Sequence, residues 1–471
     1  ILTRATDRRP GIGLESYDRF FPSQDTVPKG GFGNLIALPL QKLPREHGNS
    51  EFLDDQLETA IDQWAHLDGI RRITPDEVER LVRRHDVGDD LLGVRRVGLL
   101  DEENDDPWIR LESPDHPQRR VAGVVPQRVD LVLSDGLYIR REGLPPQLQN
   151  KLIRLAAFQN PEFYRAQAMR MSTHGKPRLI SCADCEVGHI VLPRGCRGAA
   201  ISALEGQGIE AVVHDQRLEG HAIDVSFRGS LRVDQRSAVH DMLNHGTGIL
   251  CAPTAFGKTV VAAALIARRK RNTLILVHRR QLMDQWRERL ASFLDRPLKG
   301  IGQIGAGKRA PTGEIDVAVM QSIFRKGKVD ALVGDYGHVV VDEAHHISAF
   351  SFESILKKVR ARYILGLTAT PIRKDGHHPI ILMQCGPIRH RVSPRQQRES
   401  TGVVYRVIPR FTEFCIPDGE DPSIQALYGK LARDDRRNDQ LFDDILRALE
   451  ASRSPLVLTE RVGHAEAMAA R

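Results

Sequence analysis

What this chain lacks narrows the field first. Six cysteines are scattered through 471 residues, too few for the disulfide framework of a small secreted domain, so a reducing, cytoplasmic setting is expected. The apolar run Val260 to Ala267 falls far short of the roughly 20 residues that cross a bilayer, and no membrane segment is expected. No repeat of roughly 20 to 50 residues and no long low-complexity tract occurs, which argues against a solenoid. The opening Ile1-Leu-Thr-Arg-Ala-Thr-Asp has neither an initiator Met nor the charged-then-apolar order of a signal peptide, so a start inside a longer reading frame is expected. Neither sign of charge dominates: 68 Lys and Arg oppose 61 Asp and Glu, a net +7, which permits a polyanionic partner without requiring one.

What is present suggests about three domains, and 41% apolar residues suffice for their cores. Residues 1–65 contain a glycine turn feeding an apolar run, Gly30-Gly-Phe-Gly-Asn-Leu-Ile-Ala-Leu-Pro-Leu40. In 66–120, Thr74-Pro75-Asp76-Glu77 reads as a capping box that opens a helix to about Arg84, and the acidic stretch 101–106 reads as a solvated linker. Residues 121–229 alternate strand (Val129–Leu133), helix (Leu148–Phe158) and strands again at Leu179 and Ile190–Leu192, which predicts a small α/β domain. In 230–395, short apolar strands alternate with helices: Gly248–Cys251, Thr273–Val277, Val317–Met320, His338–Val341 and Tyr363–Leu367. Such strands imply a parallel sheet covered on both faces. Residues 396–471 read as a connector and the start of a further lobe.

Three strand ends carry chemistry. Gly248–Cys251, the loop Ala252-Pro253-Thr254-Ala255-Phe256-Gly257-Lys258-Thr259 and a helix from Val260 follow the order of a phosphate cradle, with Ala252 where the pattern has its first glycine. Backbone N–H groups and the helix dipole hold phosphates, Lys258 supplies a point charge for the β and γ groups, and Thr259 a hydroxyl for Mg²⁺. The strand His338–Val341 ends in Asp342 and Glu343, suited to the metal shell and to the attacking water respectively. Leu367-Thr368-Ala369-Thr370-Pro371 follows a third strand, and its hydroxyls suit a relay of phosphate state.

Together Ala252–Thr259, Asp342-Glu343-Ala344-His345 and Thr368-Ala369-Thr370 resemble motifs I, II and III of superfamily 2 helicases. Leu276 to Trp286 resembles motif Ia of the XPB-like branch, and Met320-Gln321-Ser322 motif Ib. The resemblance implies that Arg279, Arg280, Gln281, Gln321 and Ser322 line the nucleic acid, that Gln235 in Leu231–Gln235 contacts adenine, and that His345, Thr368 and Thr370 couple the ATP state to the nucleic-acid side. The segments Tyr17–Asp25, Gly30–Gln41, Leu155–Arg170, Leu192–Cys196 and Gln384–His390 extend the resemblance over nearly the whole chain, to the helicase-bearing protein of TOTE conflict systems. That implies a primase-like remnant in 1–65, with Asp18 corresponding to a metal-binding acid, and makes other conflict-system components potential partners. Pro455–His464 resembles the opening strand and motif IV of a second RecA-like lobe. Motifs V and VI do not appear before Arg471, so the chain is expected to bind ATP better than it turns it over.

Other signals carry less. Cys182-Ala-Asp-Cys185 with His189 and Cys196 could form a zinc site, but no second pair accompanies it. Gly300 to Lys308 mimics a phosphate loop yet leads toward a strand, and reads as a glycine turn. Leu152, Leu155 and Phe158 read as core, and Arg268–Arg271 as the cationic end of a helix. The expected fold is α/β: a RecA-like parallel-sheet ATPase lobe with a small α/β accessory domain and partial flanking domains. The expected function is a helicase or translocase using ATP and Mg²⁺ on DNA in preference to RNA. An ATP-switched nucleic-acid sensor is the alternative, and a small-molecule kinase is disfavoured by Asp-Glu-Ala-His.

Overall fold

A computed structural model of the chain describes residues 38–54, 58–85, 94, 121, 124–169, 171–173, 175–343, 349–369, 377–392, 407–416 and 423–471. The chain divides into two compact units, residues 1–401 and 402–471. No helix among the described residues is long and apolar enough to cross a membrane. The Gly30–Phe32 turn, Asp18, the acidic stretch, His345 and Thr370 lie outside the described residues.

In the first unit the expected capping box is present. Thr74 N–H donates to Glu77 Oε2 at 3.0 Å and Glu77 N–H returns to Thr74 Oγ1 at 3.3 Å, opening the helix Pro75–His85. The accessory domain is built on five strands: β1 (Arg128–Leu133) and β2 (Leu137–Arg140), then β5 (Asp184–Glu186), β6 (His189–Leu192) and β7 (Glu210–Asp215), ordered β5-β6-β2-β1-β7. Between them, β3 (Ala157–Gln159) and β4 (Leu179–Ser181) form a separate ribbon. The helix expected to reach Phe158 stops at Arg154. Ala157–Gln159 is fully buried strand, because its pairing with β4 satisfies the backbone better than another turn of helix would. Leu152 and Phe158 are core, as their spacing suggests.

The next lobe along the chain has eight strands. These are β8 (Thr247–Cys251), β9 (Thr273–Val277), β10 (Gly302–Gly305), β11 (Lys308–Ala310), β12 (Ile315–Val319), β15 (His338–Asp342), β16 (Tyr363–Thr368) and β17 (Ile388–Arg391), ordered β11-β10-β12-β9-β15-β16-β8-β17. Seven are parallel, and β11 turns back antiparallel on β10 at the edge. Every residue of β9, β12 and β15 is buried, as expected for strands with helices on both faces. A two-stranded hairpin, β13 (Phe324–Arg325) and β14 (Lys328–Val329), stands apart from this sheet.

Arg194 joins the accessory domain to the lobe. Its side chain is 3% exposed, and Nη2 donates to the carbonyls of Asp135, Leu356 and Val359 at 2.6, 3.0 and 2.6 Å. Burial pushes its pKa down to about 10. Beside it, a Cβ on Gly195 would lie 2.3 Å from the Leu382 carbonyl, so only glycine lets the two backbones meet. Arg268 and Arg269 form the cationic end of the helix Lys258–Arg269, as read from sequence, and Arg269 is half-buried there. Its guanidinium donates to the carbonyls of Met242 and His245, at the end of the helix Val233–Leu243.

The second unit contains the helices Ile424–Arg433, Asp435–Glu450 and Val462–Ala469. Residues 455–459, the expected opening strand, have no strand pairing among the described residues, and Leu456 and Leu458 are 83% and 85% exposed.

Candidate nucleotide and nucleic-acid site

Strands β12, β9, β15, β16 and β8 run the same way in adjacent registers, so the segments leaving their carboxyl ends emerge along one edge. The phosphate loop leaves β8. Ala252 N–H donates to Thr368 O at 3.0 Å, which fastens the loop's first residue to the end of β16. Ala252 is not among the residues with positive φ, and its methyl belongs to the core, so alanine replaces the pattern's first glycine without distorting the loop. Ala255 and Gly257 do take left-handed conformations, at φ +68° and +91°. A Cβ on Gly257 would come within 2.6 Å of Gln235 Nε2, so glycine is required there by backbone and by space. The helix Lys258–Arg269 starts with no side-chain cap, leaving first-turn N–H groups and the positive end of the dipole at the mouth of the loop.

Gln235 is 3% exposed. Its Oε1 accepts from Arg232 N–H at 3.1 Å and its Nε2 donates to Phe256 O at 2.8 Å. Arg232 Nη2 reaches the same carbonyl at 2.9 Å. The helix proposed to read adenine is therefore tied to the phosphate loop through one carbonyl.

The carboxylates complete the pocket. Asp342, 7% exposed, ends β15. Glu343 follows at φ +48°, a conformation costing a bulky residue roughly 1 kcal/mol or more, and its N–H donates to Leu367 O at 3.0 Å. Lys258 Nζ bridges the two halves, 3.0 Å from Glu343 Oε1 and 3.3 Å from Ala252 O. Burial raises the Asp342 pKa and the Glu343 charge adds to the rise, while a hydrogen bond from Trp286 opposes it. In that bond the indole Nε1–H of Trp286, 2% exposed, donates to Asp342 Oδ2 at 2.7 Å. A hydroxyl at Thr259 and a carboxylate at Asp342 are an all-oxygen donor pair of the kind Mg²⁺ takes.

Farther along the same edge, β9 leads into Arg279 and the helix Arg280–Phe293, while the neighbouring β12 leads into the helix Met320–Ile323. Arg279, Arg280, Gln281 and Gln321 are exposed there and Ser322 is half-buried. The structure thus brings Lys258, Glu343, Asp342, Gln235 and Thr368 together at one end and these five at the other. Trp286, which joins the ends, received no role from the sequence. The period Met283, Trp286, Leu290 marked it as buried, but the partner of its N–H was not legible. Cys182 is buried and Cys185 exposed, and among the described residues no group of three or more His, Cys, Asp or Glu could hold a metal ion.

A phosphate loop, a carboxylate pair and a hydroxyl-bearing strand end on one covered parallel sheet define a RecA-like ATPase lobe. Residues 228–373 match the family "Type III restriction enzyme, res subunit", and residues 1–81 match "TOTE conflict system, Archaeo-Eukaryotic Primase domain". A "DNA 3'-5' helicase XPB" of Kineococcus radiotolerans is 32% identical over 209 residues, 43% of this chain and 37% of that protein. A "DNA 3'-5' translocase XPB2" of Sulfurisphaera tokodaii is 35% identical over 163 residues, 35% of this chain and 36% of its own length. The chain therefore spans little more than a third of the length of these curated relatives. The UvsW helicase structure from bacteriophage T4 is 17% identical with a TM-score of 0.43, covering 55% of this chain and 99% of that one. Residues 228–373 are thus similar to the ATPase domain of XPB-like superfamily 2 helicases, in a chain whose first 81 residues match a TOTE primase-domain family.

Proposed function

We propose that this chain is the ATP-hydrolysing part of a nucleic-acid helicase or translocase, acting on DNA in preference to RNA and using Mg²⁺. The observation that carries this reading is the bridge from Lys258 to Glu343 and Ala252. When the phosphates of ATP enter the loop, Lys258 exchanges the Glu343 carboxylate for the β and γ oxygens. Glu343 is thereby released to orient the attacking water for in-line displacement. Mg²⁺ held by Thr259 and Asp342 would neutralise charge developing on the phosphates. Thr368, together with Thr370 and His345, passes the occupancy of the loop to neighbouring strand ends. Arg279, Arg280, Gln281, Gln321 and Ser322 grip the strand backbone.

DNA is favoured because the XPB relatives that share the lobe are named for it, whereas a "Putative ATP-dependent RNA helicase L396" of Acanthamoeba polyphaga mimivirus, 31% identical over 171 residues, makes RNA the substrate to compare; the printed polarity of the XPB relatives makes 3′-to-5′ movement the direction to test first. The TOTE segment makes other components of such a conflict system the expected protein partners. Six free cysteines favour a cytoplasmic location. The test is ATPase activity measured with single-stranded DNA, duplex DNA and RNA side by side, followed by strand displacement on the same duplex. Turnover that no nucleic acid stimulates would sink the reading. Stimulated turnover with neither displacement nor translocation would leave the ATP-switched sensor in its place.

A further inference from the structure

The hairpin that follows the Gln321–Ser322 helix is built against local preference. Arg325 and Lys328 are directly opposed across its two strands, and like charges so placed repel. Its turn holds Lys326 at φ +48° and Gly327 at φ +76°, the mirror-image geometry in which Asn or Asp is the usual first residue. Arg325, Lys326 and Lys328 are all exposed, and among the described residues none of them is in an ion pair. Three cations therefore crowd one tip, with a residue in the left-handed region that gains nothing from being lysine.

Next to this tip lies an aromatic pair. Phe324, half-buried, packs against the lobe's core. It meets the ring of Phe350 edge to face, with centroids 6.1 Å apart at 74°. Phe350 is 69% exposed, whereas Phe352, Ile355 and Leu356 on the same helix, Ala349–Leu356, are buried. A large ring held by another ring but left open to solvent is a stacking platform, and the cations beside it suit the phosphates that come with a base.

We propose that the hairpin Phe324–Val329 and the Phe350 ring form a contact for single-stranded nucleic acid, in which a base stacks on Phe350 while Arg325, Lys326 and Lys328 neutralise the flanking phosphates. The opposed cations and the left-handed lysine are tolerated because the repulsion is relieved when a polyanion binds. This rests on the nucleic-acid reading above, and extends the gripping edge beyond Gln321 and Ser322 toward the helix that follows Asp342 and Glu343.

The test is fluorescence anisotropy of the whole 471-residue chain with a labelled oligothymidylate across a salt series, beside basal ATPase without nucleic acid. Combined replacement of Arg325, Lys326 and Lys328 by alanine should weaken binding about ten-fold at low salt. It should also reduce the slope of log affinity against log salt by about two, since each single-strand phosphate contact contributes roughly 0.7. Phe350→Ala should weaken binding about ten-fold with little change in slope, and Phe350→Trp should restore it. Basal ATPase should be unchanged in all three. If these variants bind as the native chain does while Gln321→Ala weakens binding, the hairpin proposal is overturned and the nucleic-acid reading stands. If the native chain binds no nucleic acid, both fall. Equal inhibition by polyphosphate together with an inert Phe350→Ala overturns the stacking half, and loss confined to a blunt duplex overturns the single-strand assignment.

Discussion

The loop at 252–259 and the glycine run at 300–308 share a Gly-Lys pair, Gly257-Lys258 and Gly307-Lys308, but they part company at that lysine. Lys258 is the first residue of the helix Lys258–Arg269, whose leading N–H groups have no side-chain cap. Lys308 instead opens β11, which pairs back on β10 through Gly305 to Lys308. In the first case the backbone donors converge on an open space. In the second, the ladder uses donors that an anion would need. Phosphate binding is thus a property of the turn-to-helix junction, with the glycines serving it only where their freedom aims N–H groups outward.

The widest contrast expected is between the two lysines. Lys258→Ala should lower the apparent second-order rate of ATP cleavage about 10³-fold with loss of nucleotide binding, while Lys308→Ala leaves nucleotide binding within about two-fold. Titration with a fluorescent ATP analogue reads both, and similar losses would erase the distinction. Next, Glu343→Gln should keep nucleotide affinity and lower single-turnover cleavage about 10²-fold. A matching loss of affinity would mean that Glu343 holds the loop rather than the water.

Trp286→Phe keeps the packing and removes only the N–H. It should raise the Mg²⁺ concentration needed for tight nucleotide binding about ten-fold, as loss of a partner to a metal ligand commonly does, and leave binding in chelator unchanged. Equal weakening with and without Mg²⁺ would make the indole a packing residue. Among the glycines, Gly257→Ala should reduce nucleotide affinity about five-fold and stability by about 2 kcal/mol, because both φ and space oppose a Cβ. Gly307, at φ +80° with nothing within 4 Å, should cost about 1 kcal/mol on the same change with no effect on nucleotide; thermal melts and titrations separate the two.

The smallest effect has a sign fixed by burial. The Asp342 pKa is raised in the folded chain, so its contribution to stability is complete below the unfolded carboxylate range and is lost as pH rises through the folded value. Asp342→Asn, which keeps an acceptor for Trp286, should raise the melting temperature at neutral pH by about 2–4 °C. The gain should disappear as pH falls below the raised value.

The lobe was legible because its signals are short in range. The buried strands, the loop and the carboxylates each occupy a few consecutive residues, and the distance between them follows from sheet order. Thr74 and Glu77 were legible for the same reason. The features that could not be read depend on groups far apart in sequence. Trp286 and Asp342 are 56 residues apart, and no periodicity names the partner of an indole. Strand β10 and its hairpin were hidden because Gly302–Gly305 carries only one large apolar residue, Ile304. The helix carried on to Phe158 failed at Arg154 because the rival pairing comes from Leu179–Ser181, which a local window does not contain.

The Arg194 seam gives the accessory domain a use as a gauge. One guanidinium holds carbonyls from Asp135 on one side and from Leu356 and Val359 on the other. Any turning of the two parts against each other would strand a buried cation, so they should turn together. A dye on the fully exposed Val187, on the turn between β5 and β6, would then read the attitude of the ATPase lobe from a point remote from its chemistry, with the accessory domain as the pointer.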